Sequence, residues 1–231
     1  MVASQVHLVR HGEVFNPDGI LYGRLSGFGL SKLGHRMAQT AADELVSRGR
    51  PVTAIRMSPL QRTRESAAPI AAAFGQEPAV DERVIEPANR FEGTVMRRAL
   101  RKPVNWPYLV NPLRPSWGEP YTSIEKRIRE AIEDAFDSVE SGDVVLVSHQ
   151  LPIWVAHLSV VGARFSHDPR NRRCSLSSIT TFERATVEAG EGEAEGLSGS
   201  AKAGPGGRLV EVAYVEPAAR LGSTATDVGA V

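Results

Sequence analysis

Cysteine is nearly missing from this sequence. Cys174 is the only one in 231 residues, which excludes an intrachain disulfide framework and a multi-cysteine metal site and fits a reducing cytoplasm. Net charge is missing too. The 27 basic residues cancel the 27 acidic ones, so no overall field favours nucleic acid or an anionic membrane surface, and a small ligand is the expected partner. No secretory leader is expected, because an apolar strand-like run begins by residue 5 without a basic segment and cleavage site before it. The most apolar window, 151–163, contains Pro152 and His157 and falls short of the roughly 20 residues a membrane span needs. It reads as a buried helix. None of the six histidines lies in a helical two-histidine ligand motif, so neither a metal nor another cofactor is expected. Internal repeats are absent, the length suits one domain over 1–231, and the sequence sets no oligomeric state.

What is present is an alternation of strands and helices. Val6, Leu8 and Val9 mark a buried strand that runs into Arg10-His11-Gly12-Glu13, and Gly12 suggests a close backbone approach there. A turn-rich loop with Asn16, Gly23 and Arg24 follows, its glycines spaced as in a loop folding over a site. Ser31 is a plausible N-cap for a helix reaching Arg48, with Met37, Ala41 and Leu45 on its buried face. Val52 to Met57 reads as a second strand. Ser58-Pro59-Leu60-Gln61 reads as a capping box with proline at the first helical position, which puts Arg62 in a first turn. A third strand is expected from Ala79 to Ile85, ending at Glu86-Pro87.

Residues 88–121 break this rhythm with five prolines, with Trp106, Tyr108 and Trp117, and with the basic cluster Arg97, Arg98, Arg101 and Lys102. They read as an irregular cap insertion with a short helix near 94–101, packed by its aromatics over the end of the sheet. The basic cluster suits either an anionic substrate or a solvated face. Thr122-Ser123-Ile124-Glu125 is another capping box, opening a long helix that Gly142 ends. Asp143 to Ser148 is a continuous apolar strand running into His149, and a helix follows to Val161 in which His157 reads as a satisfied core residue. Residues 177–184 and 208–215 alternate like antiparallel strands. Between them 189–207 holds seven glycines and is expected to be a flexible loop, and 221–231 a frayed tail.

Such an alternation predicts an α/β fold, a three-layer αβα sandwich whose central sheet is mostly parallel with helices on both faces. It also gathers Arg10, His11, Arg62, Glu86 and His149 at one edge of the sheet. Alone, Arg10-His11 better suits a strand entering a polar loop, and Arg62 also suits a solvated arginine like Arg64. Together, two guanidiniums and two imidazoles suit a phosphoryl group, because guanidinium pairs bidentately with phosphate oxygens, and a nearby carboxyl group moves a proton.

On these motifs, with Phe91-Glu92-Gly93 and Val147-Ser148-His149, the sequence resembles the histidine phosphatase superfamily, in its phosphoglycerate mutase-like branch, over roughly residues 5 to 216. The resemblance implies that His11 is the nucleophile that becomes phosphohistidine. Arg10, Arg62 and His149 would then clamp the phosphoryl oxygens, and Glu86 would donate the proton, with Glu13 and Glu92 as the other candidate acids. Asn16, Gly23, Arg24 and Gln150 complete the expected substrate-binding set. Two departures stand out: Gln150 replaces the glycine usual after the second histidine, and Asn16 falls one residue earlier than the family's asparagine. The expected activity is metal-independent hydrolysis of a small phosphomonoester. The alternatives are a cofactor-dependent phosphoglycerate mutase-type phosphotransferase, which needs a more complete lid to exclude water, and a non-catalytic phospho-ligand binding module.

Overall fold

The computed structural model describes residues 2–109, 118–168, 171–185 and 207–227. Its centre is a pair of parallel strands, β1 (Gln5–Arg10) and β4 (Asp143–Ser148), aligned from Gln5 opposite Asp143 to Arg10 opposite Ser148. This register leaves both strands ending level, so the residues that follow, His11 and His149, emerge side by side. Every residue of β4 is buried, as its unbroken apolar run requires of a strand covered on both faces.

Around this pair the sheet has the order β3-β2-β4-β1-β5-β6, with β2 at Val52–Met57, β3 at Ala79–Val80, β5 at Ile179–Ala185 and β6 at Arg208–Val215. Only β5 runs against the others, which makes the sheet mixed but mostly parallel. Alternate residues of β4 face opposite layers. Val145 and Val147 pack with Ala41, Leu45, Ala67 and Ile70 from α1 (Lys32–Ser47) and α2 (Gln61–Phe74). On the other face Val144 and Leu146 pack with Ile128, Ile132 and Phe136 of α5 (Tyr121–Asp137) and Ile153 of α6 (Gln150–Val161). The three layers are those the alternation implied. Among the described residues no helix is long and apolar enough to cross a membrane.

Several local expectations need correction. The third strand is only two residues long; Asp81 then accepts from the Arg83 N–H and turns the chain into a 3-10 helix over Glu82–Val84. α2 starts at Gln61 rather than just after Ser58, without a side-chain cap, because the Ser58 hydroxyl meets the His149 ring instead. α5 starts at Tyr121, directly after Pro120, and ends at Asp137, five residues before Gly142. Gly12 serves helix packing: a Cβ there would strike the Gly34 carbonyl in the first turn of α1. In the cap region, short helices α3 (Met96–Ala99) and α4 (Trp106–Leu109) flank a 3-10 turn over Pro103–Asn105. Phe91, Ala99 and Met96 anchor it on Leu21, whereas Trp106 is 56% exposed and packs no core. Arg97, Arg98, Arg101 and Lys102 are exposed, as on a solvated face. The loop expectation for 189–207 falls, apart from Gly207, outside the described residues, as do 110–117 of the cap and 228–231 of the tail. The tail up to Asp227 is not frayed. After α7 (Ala219–Gly222), Leu221 and Ala225 pack against Met37, Leu176 and Ala218.

Candidate active site

Five buried polar residues converge where β1, β2 and β4 end. Arg10, the last residue of β1, is fully buried and donates from Nη1 to the Cys174 carbonyl at 2.6 Å. His11 follows, and its Nδ1 lies 2.8 Å from the Gly12 carbonyl. A carbonyl can only accept, so the proton belongs on Nδ1 and Nε2 carries a lone pair. His149, the residue before α6, packs edge-to-face on His11 with ring centroids 5.2 Å apart, and its Nε2 meets Ser58 Oγ at 2.8 Å. Arg62 enters from the first turn of α2, donates to the Gly23 carbonyl at 2.8 Å and lies 4.7 Å over the Tyr22 ring. Glu86 arrives from the loop after the 3-10 turn, 1% exposed.

These side chains are buried yet incompletely bonded. Arg10 Nε, His11 Nε2, Arg62 Nε, both Glu86 oxygens and His149 Nδ1 have no hydrogen-bond partner among the described residues. Leaving a buried polar group unmatched costs about 1–3 kcal/mol, so such a cluster calls for partners from water or a ligand. Unpartnered donors and acceptors stand together here, which suits a ligand with several anionic oxygens and a protonatable one.

Burial also sets the charges. His11 and His149 are held well below the usual imidazole range, first by burial and then by the Arg62 guanidinium. Glu86 is pushed upward by burial, which outweighs the opposing pull of Arg62, Arg172 and Arg10. Sequence alone did not rank those influences. Glu86 Oε2 lies 3.4 Å from His149 Nδ1, an ion-pair distance, but with burial favouring the neutral form of both groups the contact is not a charge pair. Burial raises the Cys174 thiol to about 11, so the lone cysteine is not a reactive thiolate at neutral pH.

The expected substrate-binding residues divide. Gly23 lies at the site, with positive φ and its carbonyl on Arg62. Arg24 reaches back rather than inward: its Nε donates to the Glu86 carbonyl at 2.6 Å and its N–H to Glu92. Asn16 bonds the Ile20 backbone through both ends of its amide and staples the loop. Gln150 accepts from Arg172 Nη1 at 3.2 Å, which brings a further guanidinium to the rim. Glu13 is engaged with Ser31 and the Thr226 N–H, and Glu92 Oε1 with the Asn89 and Arg24 N–H groups, so of the three acids only Glu86 has buried oxygens without a partner among the described residues. Sequence reading missed Ser58, Tyr22, Arg172 and Asp227. Only Arg172 left a signal, the basic run around Asn171. Among the described residues no group of three histidine, cysteine or acidic side chains is placed to hold a metal ion.

A profile of the histidine phosphatase superfamily, branch 1, matches residues 6–190. The chain belongs to this superfamily. A histidine phosphatase superfamily chain of this length has a near full-length relative in the uncharacterized protein Rv0525 of Mycobacterium tuberculosis, 44% identical over 94% of this chain and 98% of the relative. The probable phosphoglycerate mutase GpmB of Yersinia enterocolitica is 28% identical over 80% of this chain and 89% of its own. Among solved structures, the phosphoserine phosphatase of Entamoeba histolytica, crystallised with 3-phosphoglyceric acid, aligns with TM-score 0.68 and 20% identity, covering 91% of this chain and 95% of that one. A mycobacterial glucosyl-3-phosphoglycerate phosphatase aligns with TM-score 0.63 and 21% identity, covering 78% and 90%. At such identities these two likenesses establish the superfamily's fold in this chain.

Proposed function

We propose that the protein is a metal-independent phosphomonoesterase that acts through a phosphohistidine on a small phosphorylated metabolite. The observation that carries this reading is the buried, unpartnered Nε2 of His11, deprotonated through the Nδ1 contact to Gly12 and flanked by the unpartnered Nε groups of Arg10 and Arg62. In the first step the Nε2 lone pair forms a bond to phosphorus as the ester P–O bond breaks. Glu86, whose protonated form burial favours, gives its proton to the departing oxygen. The arginines and His149 stabilise the charge on the three transferring oxygens. In the second step the Glu86 carboxylate takes a proton from water as that water's oxygen bonds to phosphorus, and the P–N bond electrons return to Nε2. Both steps balance without a metal or other cofactor. The single buried thiol fits a cytoplasmic setting.

Rapid mixing with a phosphate-labelled ester in excess chelator tests the reading. A stoichiometric acid-labile, base-stable phosphoenzyme that forms and decays at the rate of turnover supports it. No phosphoenzyme, or turnover that disappears with chelator, overturns it. Phosphate transferred between the hydroxyls of phosphoglycerate rather than released to water would make the protein a mutase, and tight phosphate binding without turnover would make it a binding module.

A further inference from the structure

A guanidinium offers five N–H groups along its edges: an end edge shared by Nη1 and Nη2, and a side edge shared by Nε and Nη2. In Arg10 the end edge is taken by Asp227, whose Oδ2 accepts from Nη1 at 2.8 Å and Oδ1 from Nη2 at 2.6 Å. The remaining Nη1 hydrogen goes to the Cys174 carbonyl at 2.6 Å. What is left is the side edge, and its Nε is buried without a partner among the described residues, like His11 Nε2, Arg62 Nε and the Glu86 oxygens. Asp227 therefore does not cover the edge that an oxyanion would use. It fixes the opposite one.

The segment that brings Asp227 there is itself anchored. Leu221 and Ala225 pack against Met37, Leu176 and Ala218, and the Thr226 N–H donates to Glu13 Oε1 at 2.6 Å. Glu13 in turn contacts Ser31, the N-cap of α1. A carboxylate 217 positions along the chain from Arg10 is thus held against it by contacts on either side of the first strand's exit. The matched stretch of the superfamily profile ends at residue 190, so this contact lies beyond it. An arginine held on two sides keeps one orientation, and a bidentate contact loses most of its strength when the fork rotates.

We propose that Asp227 is a positioning residue: with the Cys174 carbonyl it locks the Arg10 guanidinium so that its Nε/Nη2 edge receives two phosphoryl oxygens. The assignment rests on the phosphoryl-transfer reading above. It also states what a strap that merely plugs the site does not: removing the carboxylate weakens phosphate binding instead of strengthening it.

The test uses the full chain with p-nitrophenyl phosphate as substrate and inorganic phosphate as competitive inhibitor. Asp227→Ala is expected to raise the phosphate inhibition constant and lower kcat/KM, each by roughly 10- to 100-fold, the scale on which removing a group that orients a binding residue acts. Asp227→Asn, which retains one accepting oxygen, is expected to lose several-fold less. Added formate is expected to restore the Ala variant saturably and leave the wild type unchanged, a rescue that a merely structural defect does not show. If the Ala variant does not fold, the isosteric Asn variant decides on its phosphate inhibition constant alone. A wild type that hydrolyses the ester, with variants whose phosphate inhibition is unchanged or tighter, or a folded Ala variant that formate leaves unrestored, overturns this assignment alone. A wild type that neither hydrolyses the ester nor binds phosphate overturns the phosphoryl reading and the assignment with it.

Discussion

The two ends of β1 and β4 each bury an imidazole and an acid beside an arginine, and they treat them oppositely. At the amino ends His7 Nδ1 meets Thr181 Oγ1 at 3.0 Å and Nε2 meets Asp143 at 3.3 Å. Asp143 also accepts from Arg50 through both oxygens, at 2.6 and 2.8 Å, and from the Gln5 N–H at 3.1 Å. At the carboxyl ends His11, Glu86, Arg10 and Arg62 are all buried, yet each keeps at least one polar atom unmatched among the described residues. A buried imidazole and a buried acid thus stand at both ends, and hydrogen-bond satisfaction separates them. A matched cluster holds strands in register; an unmatched one holds binding capacity in reserve.

The widest separation between the ends is expected from the two histidines. His11→Ala should abolish turnover, a loss of roughly 10⁴-fold or more in kcat, because the proposed acceptor of the phosphoryl group is gone. His7→Ala should lower the thermal midpoint and leave kcat of the folded protein near wild type. Near-normal kcat in the His11 variant would break the covalent mechanism.

Next is the acid. Glu86→Gln should slow phosphoenzyme formation by roughly 10²- to 10⁴-fold for alkyl phosphates and far less for p-nitrophenyl phosphate, whose phenolate departs without a proton. Single-turnover rates are the measurement, since they isolate the first step. Equal slowing for both leaving groups would remove Glu86 from the acid's role.

At the matched end the loss should appear in stability. Asp143→Ala leaves His7 and the Gln5 N–H without their shared acceptor, while the partly exposed Arg50 turns to water, and should destabilise by about 2 kcal/mol, the scale for leaving buried polar groups unmatched. Denaturant unfolding measures this, and kcat should not change. A fall in kcat matching that of a site variant would show the two ends to be coupled.

Acidity should then move the two acids in opposite directions. The Asp143 carboxyl is held at about 2 against an ordinary 3.8, so its contribution is complete above 3.8 and disappears as pH falls toward about 2. That contribution is about 2 kcal/mol. Glu86 is raised above 4.5, so the stability it contributes is present in acid and lost as pH rises through its folded value. Glu86→Gln should therefore be more stable than wild type at pH 7, and this advantage should shrink near pH 4. Thermal scans of both proteins across that window check the sign. The smallest effect is expected from His157→Ala. Its Nδ1 meets Glu211 at 2.6 Å on a half-buried surface, and its removal should destabilise by about 1 kcal/mol without altering kcat.

Local pattern carried part of this into the sequence. β1, β2, β4 and β6 are legible because apolar runs and alternation are properties of consecutive residues, and α1 because Ser31 caps it by accepting from the Gly34 N–H. Where a side chain had a better partner far away in the chain, the local signature misled. Ser58 has the sequence of an N-cap, but its hydroxyl bonds His149, 91 positions on. The same logic hid Asp227. Among small and polar residues its carboxylate has no local role, and its partner lies at the other end of the chain. The five central residues of the candidate site were legible because each ends, follows or opens a recognisable element. Asn16 and Arg24 were legible only as positions in a loop, and their side chains turned to the loop itself and to the Glu86 backbone.

The strand order has a consequence for how the chain is made. β4 lies between β1 and β2, yet it is more than eighty residues downstream of both, so the edges of β1 and β2 that face it stay open until residues 143–148 have been synthesised, even where β2 has already met β3. At about 5–20 residues per second the ribosome leaves the two inner edges of β1 and β2 unpaired for several seconds or longer. Their closure then requires long-range loops, which slows folding relative to a local meander. Variants that weaken the β4 run should therefore accumulate as aggregates during synthesis before any loss is measurable in the purified protein, because the edges it closes are themselves sticky templates.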